Sequence, residues 1–213
     1  MFYQKEREHK LRLGDVLKGF IITNPKFKEP ILNPVQAHSY NVKIEIPEFV
    51  IVLTPCCSYR TNTLLLTSLI QVESHFFKNP YLVEDFTRIN RLIEHPINRF
   101  PPDEWERMPD EKKTEELTEG KQYAFYHYFI YKEHEYFPEY IMRKQQTRYY
   151  MIDFRKIFSI NCTDLIFKKN GEIPEKIFNA KILQLSVAAR DDLRNKIVNY
   201  FGRIPDEDLM YMD

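Results

Sequence analysis

Glycine is scarce, with 5 in 213 residues, at positions 14, 19, 120, 171 and 202. That distribution builds no phosphate-cradling loop, dinucleotide fingerprint or nucleophile elbow, so nucleotide-dependent chemistry is not expected and no cofactor is implied. Also missing is any apolar run near the roughly 20 residues of a membrane span, so no membrane partner is expected. Neither sign of charge is in excess: 31 Lys and Arg balance 31 Asp and Glu. This lowers the expectation of a dedicated nucleic-acid binder while leaving room for a local basic patch. It also removes a brake on association with a protein partner or a second copy. Cysteine is limited to Cys56, Cys57 and Cys162. The opening MFYQKEREHKLRLGD has no apolar stretch of a secretory signal, which predicts a cytoplasmic chain with reduced thiols.

What is present is aromatic. Tyr, Phe and the single Trp105 make up 15% of the chain, alongside 13 prolines. That composition predicts a packed core with few tight glycine turns, in one large domain or one domain carrying an insertion. Residues 1–12 read as a charged arm or short helix. Leu13–Thr23 reads as a strand. Tyr40–Ile46 alternates, with Val42, Ile44 and Ile46 on one face, as in a half-buried strand. Phe49–Leu53 is continuously apolar and reads as a central strand, which Pro55 ends. Thr63–Val72 is the next strand, joined to it by a hairpin-type link. Pro80–Leu92 has helical spacing at Tyr81, Phe86, Ile89 and Leu92. Asp103–Thr118 reads as a second helix with Asp103 as its cap. Tyr123–Tyr136 favours strand by alternation, although its length allows helix. Arg148–Ser159 alternates as a strand. Ala180–Phe201 ends in a helix from about residue 193, with Gly202 at the C-cap. The order predicts an α+β fold: a small β-barrel begun by residues 1–72, an inserted helical and aromatic subdomain over 73–147, and the last barrel strand and terminal helix over 148–213.

Several of these stretches together resemble the PemK/MazF family, whose SH3-like barrel serves toxin endoribonucleases. Gly14-Asp15-Val16 matches the family's opening Gly-Asp-hydrophobic strand. Pro47–Leu53 resembles its proline-led apolar strand, and Leu65-Leu66-Thr67-Ser68-Leu69 its third strand. Tyr150–Ile157, carrying Asp153 and Arg155, resembles its late acidic–basic strand, and Asp191–Phe201 its closing helix. About half the chain takes part. Three departures stand out. Ile46 occupies the position of the arginine that precedes the family's proline. The threonine after the third strand is replaced by Ile70, unless Thr67 substitutes for it. Residues 73–147 have no counterpart in the compact toxins.

The resemblance implies a bacterial toxin–antitoxin or phage-defence setting. Because the usual catalytic residues are missing, it implies a non-catalytic binding or regulatory module that engages RNA, DNA or a partner protein. An alternative is an endoribonuclease, with Asp153 as base, Arg155 as phosphate-stabilising cation and Thr67 assisting. A third reading is a structural subunit whose aromatic insertion docks a larger ATPase or nuclease. Arg143, Lys144, Arg148 and Lys156, interleaved with Tyr149, form the candidate nucleic-acid surface, since cations beside aromatics suit single strands. Cys56-Cys57 reads as a small thiol and a turn residue. No CxxC or HxxxH spacing recruits His38 or His75 to it, so no metal is expected. His127 and His134, with Glu133 and Glu135 nearby, read as decoration of an aromatic surface. The acidic 103–119 stretch reads as a solvated helix face.

Overall fold

A computed structural model describes residues 1–20, 22–26, 41–54, 63–92, 95–96, 100–118, 125–161 and 172–202. His38, Cys56, Cys57, Cys162 and the 55–62 link lie outside them. The run FVIV forms β4 (Phe49–Val52), and all four of its residues are buried. Successive strand residues face opposite sides of a sheet. Phe49 and Ile51 accordingly enter one core with Val16, Phe129 and Ile152, while Val50 and Val52 enter a second with Leu17, Leu64, Leu66 and Ile177. A strand covered on both faces has no solvated side to encode, which is why its sequence is continuously apolar.

β4 lies at the centre of a five-stranded antiparallel sheet. Its order is β11 (Ile157–Asn161), β5 (Thr63–Ser68), β4, β1 (Val16–Lys18) and β12 (Lys181–Leu183). A second sheet runs β6 (Ile70–Gln71), β10 (Tyr150–Asp153), β7 (Tyr128–Tyr131). Only Leu69 separates β5 from β6, and a turn over Phe154–Lys156 separates β10 from β11. Since β5 pairs with β11 and β6 with β10, one bent antiparallel pair belongs to both sheets. The molecule is thus α+β with antiparallel sheets, none of which closes into a barrel among the described residues. Two further antiparallel pairs lie among the described residues: β2 (Ile22–Lys26) with β3 (Asn41–Glu45), and the hairpin of β8 (Tyr140–Met142) with β9 (Gln145–Thr147). Helix α5 (Val187–Phe201) starts where the Ser186 hydroxyl accepts from the Ala189 amide, and it packs Ala189 and Leu193 on the larger core. That core also takes residues from 1–72 and from 73–147.

The structure departs from the sequence reading at several points. The helix expected over 80–92 is two pieces, α1 (Pro80–Glu84) and a 3-10 turn (Phe86–Asn90). Asp85 between them is extended, and its carboxylate accepts the Thr87 amide, so it restarts the chain instead of continuing it. Asp103–Thr118 likewise divides into α2 (Pro102–Arg107) and α3 (Asp110–Thr118). Pro109 pushes Met108 to an extended ψ of 138°, as a proline does to its predecessor. Asp103 lies inside the first turn of α2, where Pro101 holds the cap position. The aromatic 123–136 segment contributes a strand, but a short one, at 128–131. Ile44 and Ile46, expected inward, are exposed. The strand expected over 148–159 is broken by the 154–156 turn. Helix α4 (Glu175–Ala180) brings Ile177 onto the smaller core.

The Gly14-Asp15 pair is structural. Gly14 has φ +83°, and a Cβ there would lie 2.3 Å from Leu185 Cδ1. Its carbonyl accepts the Tyr131 hydroxyl at 3.0 Å. Asp15 forms a wholly buried ion pair with Lys181 at 2.8 Å. The Lys181 ammonium also donates to the Glu8 and Lys10 carbonyls and to Gln184 Oε1. The N-terminal arm, β1 and β12 therefore meet at one nitrogen.

Two predictions follow from this clamp. Gly14→Ala should cost about 2–4 kcal/mol in urea unfolding, because overpacking adds to left-handed strain. Gly19→Ala, at φ +81° but with open space around it, should cost only about 1 kcal/mol. Burial pushes the Asp15 carboxyl up from 3.8 to about 6, against the pull of Lys181 and the Arg12 amide. Between those values the folded protein holds a proton that the unfolded chain releases. The contribution of Asp15 to stability should therefore fall as pH rises from about 4 to about 6. The difference in unfolding free energy between wild type and Asp15→Asn, measured across that window, should carry this slope.

Candidate functional site

The turn between β10 and β11 gathers three sequence candidates within hydrogen-bonding reach. Asp153, the last residue of β10, is 2% exposed. Its Oδ1 accepts the Arg155 amide at 3.0 Å and Arg155 Nε at 2.8 Å, and its Oδ2 accepts Arg155 Nη2 at 2.8 Å. A side chain bonding to backbone two residues on is the Asx turn that aspartate favours. Thr67 of β5 is buried, and its hydroxyl donates to the Lys156 carbonyl at 2.8 Å. The turn, not a shared strand face, pairs Asp153 with Arg155.

From Arg155 the polar chain continues. Nη2 donates to the Tyr128 hydroxyl at 2.9 Å, and that hydroxyl donates to Glu73 Oε1 at 2.9 Å. Glu73 Oε2 lies 3.3 Å from His75 Nδ1. The register places Tyr128 opposite Asp153. Burial and the Glu73 carboxylate push the Tyr128 hydroxyl up to about 12, so it stays a donor. Burial drives the Asp153 carboxyl up, but the Arg155 hydrogen bonds and charge overcome it and hold the carboxyl below its ordinary value. The same bonds raise the proton affinity of the Arg155 guanidinium, so its charge is permanent. Burial, then the Arg155 charge, lowers His127, which is therefore neutral near pH 7.

This geometry fixes what each group can do. Asp153 has both oxygens occupied and a depressed proton affinity, which makes it a poor general base. Arg155 is held from behind, yet its side chain is 53% exposed. None of the hydrogen bonds among the described residues uses its Nη1. A guanidinium oriented in this way is preset for a phosphate or carboxylate. Lys156, also exposed, is next to it.

The other candidates lie elsewhere. Arg143 and Lys144 are the exposed tip of the β8–β9 hairpin. Arg148 faces Glu139 at 3.7 Å, and its amide donates to Glu133. Tyr149 donates its hydroxyl to Asp85 at 3.3 Å and packs edge-on against Phe86, so its ring is committed to the core rather than offered for stacking. No hydrogen bond or ion pair among the described residues joins these four to the Arg155 turn. His127 and His134 flank the two ends of β7 and share no site. His134 Nδ1 accepts the Tyr136 amide. Sequence reasoning passed over Tyr128 and Glu73, because only the strand register brings them to Arg155.

Comparison with known protein families, curated proteins and solved structures finds no match to this chain. No helix among the described residues is long and apolar enough to cross a membrane. Among the same residues no group of three or more His, Cys, Asp or Glu is placed to hold a metal ion.

Removing the arginine should expose the dependence of Asp153 upon it. In Arg155→Ala the carboxyl loses the guanidinium but keeps its burial, the residue-155 amide and the Lys156 charge. Its titration by carbon NMR should move upward from its depressed value, and stability at neutral pH should drop by about 2 kcal/mol.

Proposed function

We propose that the chain is a non-catalytic binding module on a PemK/MazF-like, SH3-like scaffold, in a bacterial toxin–antitoxin or phage-defence system, and that its ligand is the phosphodiester backbone of a nucleic acid. The observation that carries this reading is the Arg155 clamp, a half-exposed guanidinium fixed by a buried carboxylate with Lys156 beside it. Such a site binds anions, and its buried carboxylate is committed to the arginine instead of being free to take a proton. The bent strand pair shared by two sheets, with α5 on the core, supports the scaffold, because a small barrel opened along one seam would have that arrangement. The engagement of Thr67 and Asp153 in holding the turn favours binding over in-line RNA cleavage.

Binding of a mixed-sequence RNA or DNA should weaken steeply with added salt. It should fall about tenfold in Arg155→Ala, the loss expected for one charged hydrogen bond. Lys156→Ala, which leaves no buried partner behind, should reduce affinity without a loss of stability. RNA cleavage by the purified protein that disappears in Arg155→Ala would replace this reading with the endoribonuclease one.

A further inference from the structure

The β8–β9 hairpin carries a feature that neither its packing nor its register requires. Its two loop residues, Arg143 and Lys144, have φ of 50° and 67°. Positive φ at both loop positions is the signature of a type I′ turn, which selects Asn-Gly, Asp-Gly or Gly-Gly. Here two long cations occupy it, both exposed. A side chain kept where the backbone disfavours it points to use of that side chain.

The surroundings show what the use is. Among the described residues the hairpin pairs with no other strand. Its base is buried at Tyr140 and Thr147 and anchored, since the Tyr140 hydroxyl donates to the Tyr149 carbonyl at 2.6 Å. Toward the tip it opens, and Ile141 is 73% exposed. Gln146 is its cross-strand partner and is also exposed. Cross-strand partners share a face, so the ribbon presents one apolar group and one carboxamide behind a doubly cationic tip. The acidic neighbours lie at the base, where Glu139 faces Arg148 at 3.7 Å and Glu133 accepts Thr147. Three residues per strand give a reach of about 10 Å, and paired strands lie about 4.8 Å apart. The major groove of B-form DNA is about 12 Å wide and about 8.5 Å deep and admits a two-stranded ribbon. The undistorted minor groove, about 6 Å wide, is too narrow for a ribbon with its side chains unless the DNA is deformed. The deep, narrow major groove of A-form RNA excludes it as well.

Resting on the nucleic-acid reading above, we propose that the β8–β9 hairpin enters the major groove of duplex DNA. Arg143 and Lys144 neutralise phosphates or contact base edges at the tip. Gln146 bonds an adenine edge, and Ile141 lies against a thymine methyl.

The test compares wild type, the double variant Arg143→Asn with Lys144→Gly, and Gln146→Ala. The probes are a mixed-sequence DNA duplex and a single-stranded RNA of equal length. The double variant installs the turn's preferred residues, so its thermal midpoint should rise by about 2–4 °C. Its duplex affinity should nevertheless fall at least tenfold, with a salt dependence shallower by about two phosphates' worth. Its RNA affinity should be unchanged. Gln146→Ala, with no change of charge, should lose about tenfold on an A·T-rich duplex and less on a G·C-rich one. Duplex binding that survives the double variant would overturn the hairpin proposal. So would a wild type that binds RNA through Arg155 but not the duplex, which leaves the nucleic-acid reading standing. A wild type that binds neither probe would sink both.

Discussion

An ammonium group removed from water must find acceptors for its protons or lose its charge. Lys181 finds them in the Asp15 carboxylate, the Glu8 and Lys10 carbonyls and the Gln184 carboxamide. Most of the first core depends on this arrangement. It seats β1 between β4 and β12, and it presses the N-terminal arm against the C-terminal part of the chain. Around it Tyr3 bridges Leu185, and the Gln184 side chain reaches Gln4. Apolar burial drives collapse, but burial is indifferent to register. A buried ion pair with directional partners is not, because each wrong pairing would strand a charge. The clamp therefore fixes which strands are neighbours, and the cores on either side of β4 supply most of the stabilisation.

A second polar cluster repeats that logic at lower burial. Asp153 is sealed and Arg155 is not, so the pair has an inside and an outside. The inside holds the turn that carries the bent strand pair from one sheet to the other. The outside is a cation with little freedom left to lose on binding, and a pre-ordered group sacrifices less entropy when a ligand arrives. One pair thus serves the fold and the candidate site together. That is also why Asp153 is unsuited to proton transfer, since the hydrogen bonds and charge of Arg155 lower its affinity for a proton.

Some of this was legible in the sequence. The FVIV strand follows from a local pattern strong enough to override context, whereas the strand expected over 63–72 divides at Leu69 between two sheets and the terminal helix starts at Val187, ahead of the spacing that marks it from about residue 193. The two helices expected over 80–92 and 103–118 came out broken because single residues, Asp85 and Pro109, act against an otherwise helical spacing. Alternation over 40–46 predicts an apolar face but cannot say which side of a strand pair meets the core, and Ile44 and Ile46 are exposed. Asp153 and Arg155 fall on the strand expected over 148–159, whereas a turn pairs them. Tyr128 and Glu73, Asp15 and Lys181 could not be matched at all. They are separated by 55 and 166 positions, and no local rule spans such distances. The resemblance that drew attention to Gly14-Asp15 marked a residue pair whose work is to hold the chain together.

The Lys181 clamp also dictates an order of events during synthesis. Its long-range bonds join residues 166 to 173 positions apart. While the ribosome is still translating the middle of the protein, β1 can pair with β4 on one side only, and the opposite edge stays open. Contacts of such long range close late and slowly. Until Lys181 emerges, the nascent chain carries an unprotected strand edge of the kind that recruits chaperones or neighbouring chains. The residue that completes the sheet is therefore also the one that ends the period of greatest exposure to aggregation.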